Sequence, residues 1–265
     1  DELLELVCAS SKQFFTGPAA VKQRCAYRNA AENFGYQGLQ QENLDPTAPA
    51  DIKETFTMRD ILNRPLPDTR WPDTGFRDLI SRFYREVLQA GYRLQRVLAR
   101  ALEVPPDFFT QVHSGENVTL RLLYYPNEGV DHLEPGQLGA GAHTDYGLMT
   151  LLFQDQVGGL QVLDKHQQWI NVPPVPDGIV INSGDLLELW TNGRYKSTLH
   201  RVQPKIGANE RLSIAMFIDP DSATQVRVLE SCVDADHPPQ FAPITAGKHL
   251  QQKIEASHKQ RFAAS

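Results

Sequence analysis

From Val118 onward the chain breaks into short runs rich in β-branched and aromatic residues: "VTLRLLYYP", "GLMTLLFQD", "GLQVL", "WINVPPV", "GIVINSGD", "LLELW", "STLHRV" and "RLSIAMFI". Gly, Pro, Asn or Asp punctuates them and no helical stretch separates them, which argues against parallel βαβ units and for a β-sandwich or jelly roll. Upstream, Leu79, Ile80, Phe83, Tyr84, Val87, Leu88, Leu94, Leu98 and Leu102 recur at helical spacing as far as "EVPPDFF". This predicts one long amphipathic helix from Phe76, with Gly91 as its weak point. A shorter helical pattern covers Leu3 to Phe15, and helix returns around Ala246 to Ser257. The rest of residues 1–74, including "NLDPTAPADIKETFTMRDILNRPLPDTRWPD", reads as long surface loops. The fold class is therefore mainly β with helices, a jelly roll backed by a long α-helix.

With 265 residues, 41% of them hydrophobic, the chain can bury a large core, and a single domain over 1–265 is expected. Within it, 1–116 supplies N-terminal loops and helices, 117–220 the jelly-roll catalytic core and 221–265 a C-terminal loop and helix. A net charge of -6 without a Lys/Arg cluster removes the electrostatic basis for binding nucleic acid or an anionic membrane. The expected partner is a small molecule and the expected state a monomer. Cys8, Cys25 and Cys232 are odd in number and irregular in spacing, so neither a disulfide framework nor a thiolate metal site is indicated, which fits a reducing cytoplasm. No run approaches the roughly 20 apolar residues of a membrane span. The chain starts at Asp1 without methionine, so an upstream segment or leader is open.

The chemistry starts in "GAHTDYGLMTLLFQD". In an extended chain positions i and i+2 share a face, so His143 and Asp145 would project together. His200 in "KSTLHRV" is the candidate third ligand, on a separate predicted strand. Two neutral imidazoles and a carboxylate on one face of an octahedral ion leave open positions, as in non-haem Fe(II) oxygenases. Tetrahedral zinc with the same donors would leave one position for water and suggest hydrolysis, so the donors alone do not choose the metal. His132 and Glu134 in "DHLEPG" repeat the spacing, but the following Pro-Gly makes them a solvated loop. His113, His166, His237, His249 and His258 lack an acidic partner in a strand setting and read as ordinary surface or satisfied histidines. Asp155 and Asp185 end strands beside glycine-bearing turns, where Asp commonly serves the backbone.

Arg211 and Ser213 in "NERLSIAMF" are again i and i+2 on one strand. A guanidinium fork plus a hydroxyl suits a carboxylate, and a di-acid held there could chelate the metal with its other end; the bland alternative is an arginine on a strand edge. Tyr125 in "LRLLYYP" could donate a third hydrogen bond, against the alternative of a core tyrosine.

"GAHTDYGLMTLLFQDQVGGLQVL", "INSGDLLELWTNGRYKSTLHRV" and "RLSIAMFIDP" together resemble the isopenicillin N synthase-like family of Fe(II)- and 2-oxoglutarate-dependent dioxygenases, in order and spacing from Arg121 to Pro220. The resemblance implies a distorted double-stranded β-helix, Fe(II) held by His143, Asp145 and His200, and a 2-oxoglutarate carboxylate clamped by Arg211 and Ser213. It implies a reaction with O2 in which a C–H bond of a small organic substrate is oxidised and succinate and CO2 are released. Isopenicillin N synthase itself uses no 2-oxoglutarate, and the ethylene-forming oxidase uses ascorbate instead, so a 2-oxoglutarate-independent oxidase is the alternative. A non-catalytic jelly-roll sensor of a small acid is the alternative from another class. This chain departs from the family in two ways. Members usually carry a strand and helix upstream of what is Asp1 here. Plant members commonly have Asn-Tyr-Tyr-Pro where this chain has Leu123, Tyr124, Tyr125 and Pro126, which removes a polar contact from the cosubstrate pocket.

Overall fold

The computed structural model describes residues 2–45, 47–127, 133–204 and 209–253. In chain order the helices are α1 (Glu2–Phe15), α2 (Ala19–Arg24), α3 (Thr74–Ala101), α4 (Asp185–Trp190) and α5 (246–253). The strands are β1 (Phe34–Gln37), β2 (Glu54–Arg59), β3 (Val118–Tyr125), β4 (Ala140–His143), β5 (Met149–Gln154), β6 (Leu160–Leu163), β7 (Trp169–Asn171), β8 (Val180–Ser183), β9 (His200–Val202), β10 (Arg211–Ile218), β11 (Gln225–Val226) and β12 (Ile244–Thr245).

A six-stranded antiparallel sheet in the order β1-β2-β3-β10-β5-β8 faces a four-stranded sheet in the order β4-β9-β6-β7, and β11 pairs with β12. This is the expected jelly roll. The period-2 alternation of its central strands separates two cores. Leu120, Leu122 and Tyr124 of β3 and Leu212, Ile214, Met216 and Ile218 of β10 point to the helices, where they join Phe14, Phe76, Ile80, Phe83 and Tyr84. The alternate residues Leu123, Tyr125 and Ala215 point inward and meet Ala140, Leu160 and Val202 of the smaller sheet. The inner core is small because a cavity lies between the sheets, with His143, Asp145, His200 and Arg211 among its lining residues.

The long helix α3 begins where Asp73 accepts a hydrogen bond from the Phe76 amide at 2.8 Å, a side-chain N-cap. Tyr84 ties it to the sheet by donating to the Val118 carbonyl at 2.8 Å. Gly91 is no weak point. A Cβ there would overlap Cδ1 of Ile218, so the glycine lets α3 lie close on β10.

Three further expectations are corrected. Residues 1–74 are not mainly surface loop: β1 and β2 extend the large sheet, with Phe34, Phe56, Met58 and Trp71 buried. The run "LLELW" is the helix α4 and not a strand, because Leu186, Leu187, Leu189 and Trp190 share one buried helical face while Glu188 turns out to Lys196 at 3.1 Å. Asp155 accepts from the Leu212 and Val157 amides as expected, but Asp185 pairs instead with His249 and Lys253 of α5. His132 and His258, and the end of the C-terminal helix, lie outside the described residues. Among the described residues no helix is long and apolar enough to cross a membrane.

Candidate active site

His143 is the last residue of β4 and pairs directly with His200, the first of β9, so antiparallel register sets the two imidazoles side by side with ring centroids 4.3 Å apart. Asp145 is not on the strand. It sits in the turn after β4, where its carbonyl accepts from the Asp185 amide at 2.8 Å. That turn is tight: a Cβ on Gly147 would overlap the carboxyl of Asp219, and one on Gly184 would overlap the Gly147 carbonyl.

Each donor atom is aimed by a partner. Nδ1 of His143 donates to the Gly141 carbonyl at 2.7 Å and Nδ1 of His200 to the Thr198 carbonyl at 3.0 Å, which leaves both Nε2 lone pairs free. Oδ2 of Asp145 accepts from Thr150 Oγ1 and Asn182 Nδ2, both at 2.6 Å. Oδ1 is left facing the imidazoles, 4.0 Å from Nε2 of His143 and 3.8 Å from Nε2 of His200. Both separations are under twice the ~2.1 Å metal–nitrogen bond of a first-row ion, and the three donor atoms all lie within 4.8 Å of one another, close enough to share one ion. Burial, and then His200, push the His143 imidazole down to about 4, which keeps it neutral and able to ligate. The donor set fits a divalent metal, and among the described residues it is the one such group.

A cavity of about 90 Å³ runs from this triad to Arg211 between walls that include Leu123, Leu152, Leu160 and Val202. Arg211 is 3% exposed. Its Nη1 donates to Ser213 Oγ at 3.0 Å, its Nη2 to Gln154 Oε1 at 3.4 Å, and its guanidinium lies 4.7 Å from the centre of the Tyr125 ring. No carboxylate among the described residues pairs with it, and its Nε and the Nε2 of Gln154 are buried without a partner. A buried cation lacking a counter-ion is costly, so this end of the cavity is built for an anion. Tyr125 meets Arg211 through its ring, and its hydroxyl makes no hydrogen bond within the described residues. Leu123 takes a wall position and makes the cavity less polar there.

The structure thus brings together all six residues singled out from the sequence. Those missed are Thr150, Asn182 and Gln154, polar side chains at inward positions of β5 and β8. Their signal was a polar residue at the alternate positions of "GLMTLLFQD" and "GIVINSGD", where an apolar one would complete the core. His113, by contrast, is structural: it is buried, its Nδ1 lies 2.6 Å from the Phe109 carbonyl, and burial pushes its imidazole down to about 4.

The pattern described as the 2OG-Fe(II) oxygenase superfamily matches residues 116–220, and that of the non-haem dioxygenase N-terminal region, described from morphine synthesis, matches residues 1–74. The 2-oxoglutarate-Fe(II) type oxidoreductase hxnY of Emericella nidulans is 33% identical over 98% of this chain and 78% of its own length. The chain belongs to the 2OG-Fe(II) oxygenase superfamily. A full-length Neurospora crassa protein, solved in complex with alpha-KG and thymine, is 31% identical and superposes with a TM-score of 0.83 over 97% of this chain and 84% of its own. JOX2, solved with 2OG, Fe and JA, is 27% identical with a TM-score of 0.77 over 97% of this chain and 78% of its own. The oxygenase is an Fe(II)- and 2-oxoglutarate-dependent enzyme that uses O2. This decides between the metals that the donors alone left open, and sets aside both the 2-oxoglutarate-independent oxidase and the non-catalytic sensor.

Proposed function

We propose that His143, Asp145 and His200 are the Fe(II) ligands of this oxygenase, and that Arg211, Ser213 and Tyr125 hold the distal carboxylate of 2-oxoglutarate. The observation that carries the reading is the buried Arg211 without a counter-ion, in one cavity with the triad. Fe(II) with 2-oxoglutarate and O2 supplies the oxidising power, with succinate and CO2 as coproducts of C–H oxidation. The chain's own residues do the rest. The Arg211 fork and the Ser213 hydroxyl fix the di-acid lengthwise, so that its keto acid end reaches the triad. Tyr125 supports the guanidinium from below through cation–π contact. Leu123, Leu152, Leu160 and Val202 exclude water along its length. Thr150 and Asn182 occupy Oδ2 of Asp145, so Oδ1 is the atom that would hold the metal.

This reading places the enzyme in the isopenicillin N synthase-like branch, as one functional unit over 1–265, with 117–220 as the catalytic core. The three cysteines, all free, support a reducing cytoplasmic setting. A monomer acting on a small organic molecule agrees with a site completed within one chain. Solved neighbours carry thymine in one case and JA in another, so the fold does not by itself fix the substrate. Anaerobic addition of Fe(II) and 2-oxoglutarate tests the ligand set: the wild-type protein should develop the visible metal-to-ligand charge-transfer band, and Asp145→Ala should not. A band of full intensity in Asp145→Ala would remove that carboxylate from the ligand set.

A further inference from the structure

A second cavity, of about 280 Å³, opens on the other side of the triad, with His143 and Asp145 in one wall and the β1–β2 edge of the large sheet in the other. Its volume corresponds to roughly nine waters at about 30 Å³ each, room for a molecule of one or two rings. We infer that this chamber selects a neutral cyclic amide or imide, and that Gln37, Asn33 and Arg121 read its N–H and C=O groups. The inference rests on the oxygenase reading above and goes beyond it to the class of substrate.

Strand alternation puts these side chains where they can act. Phe34 and Tyr36 of β1 face the helices, Gln37 lines the chamber, and Arg121 points inward from β3 opposite Thr57. The Gln37 amide makes no side-chain hydrogen bond among the described residues. Asn33 is held in the left-handed region at φ 45°, with its Oδ1 accepting from the Tyr27 hydroxyl at 3.3 Å, which leaves its Nδ2 as a donor. A primary amide offers a donor and an acceptor side by side, the complement of a lactam or imide edge.

Charge decides against a carboxylate substrate. Arg121 would be the natural anchor for one, but its Nη2 already donates to Glu42 at 2.5 Å and its Nε to Thr57 Oγ1 at 3.2 Å. Glu42 in turn lies 3.4 Å from Lys53, which pairs with Asp51, so the network is internally neutral. The cavity also presents the carboxyl of Asp219, which has no ion-pair partner among the described residues. Among the side chains lining the chamber, an anion would meet the Asp219 carboxyl and an Arg121 already paired with Glu42, whereas a neutral acceptor can use the remaining Nη1 of Arg121.

The test uses the Fe(II)- and 2-oxoglutarate-loaded protein under anaerobic conditions, with its charge-transfer band as the reporter of a molecule arriving beside the metal. Uracil and 2-pyridone are titrated against their carboxylated analogues, orotate and 2-pyridone-6-carboxylate. The neutral members should perturb the band at least tenfold more tightly than their analogues. Gln37→Leu should weaken the neutral probes about threefold to tenfold, the loss of one hydrogen bond, without moving the 2-oxoglutarate titration. Glu42→Gln, which uncovers the Arg121 charge, should shift the preference toward the carboxylates. Tighter binding of the carboxylates by the unaltered protein, or a band that responds to none of the neutral probes, overturns the inference alone. Failure of the band to form with 2-oxoglutarate overturns the oxygenase reading and the inference with it.

Discussion

Arg211 carries the sharpest test at the scale of one residue. Arg211→Ala leaves the distal carboxylate of 2-oxoglutarate buried without its partner, a loss of roughly 2–5 kcal/mol by the behaviour of truncated charge pairs. The dissociation constant for 2-oxoglutarate should rise about 30-fold or more, while Fe(II) affinity stays put because Arg211 is no ligand. Arg211→Lys should recover only part of the loss, since a point charge cannot reproduce the fork that meets Ser213 and Gln154. Anaerobic titration of 2-oxoglutarate into each Fe(II)-loaded variant checks this, and an unchanged constant would move Arg211 out of the cosubstrate site. Asn182 acts one step further from the metal. It aims Asp145 by binding Oδ2, so Asn182→Ala should weaken Fe(II) by about 10–100-fold without removing a ligand. Competition with a metal chelator measures it. The difference between these residues explains what the sequence revealed of the site. The H-x-D pair, the later His and the Arg-x-Ser pair stand out by their spacing. Asn182 and Thr150 show their role only once antiparallel pairing of β5 with β8 puts them opposite each other.

Among the elements, α3 and β10 fit each other through a single absence of atoms. Helix propensity alone makes Gly91→Ala favourable by about 1 kcal/mol. The added Cβ would however overlap Cδ1 of Ile218, which is fully buried, so its side chain would have to repack within the core. Overpacking of this kind costs about 1–3 kcal/mol, so the variant should be less stable than the parent in urea unfolding. Ile218→Val removes the offending methyl, and the double variant should be more stable than Gly91→Ala alone, a coupling that a double-mutant cycle reads directly. Strict additivity would mean that the two elements do not meet there. The long helix was legible because its period runs for many turns; its glycine was misjudged because the reason for it lies on another strand. The strand β2 was hidden for a related reason. Its "ETFTMR" alternates properly, with Phe56 and Met58 toward the helices, but it is short, polar on the site face and embedded among prolines. The helix α4 failed from the opposite side, since a run as short as "LLELW" is too brief for its period to distinguish helix from strand.

At the scale of the whole molecule, the large sheet and the loop that follows β1 are joined by a buried charge network, and its acid response can be worked out. Burial by itself pushes the Glu42 carboxyl up, but the Arg121 and Lys53 charges outweigh it and hold the group down at about 2. In the unfolded chain the same carboxyl titrates near ~4.3. A depressed folded value means that the unfolded state takes up the proton first as pH falls. The stabilisation is therefore fully present above about pH 5 and is lost progressively between there and about pH 2. At about 1.4 kcal/mol per unit, the contribution is on the order of 3 kcal/mol. Urea unfolding of the metal-free protein at a series of pH values should show stability falling across this window. Glu42→Gln should be less stable at neutral pH, because Arg121 and Lys53 lose a partner they need while buried, yet its stability should depend less steeply on pH across the same window. Equal slopes in the two proteins would show that other carboxylates govern acid unfolding. The network would then matter to the chamber it lines rather than to the stability of the fold.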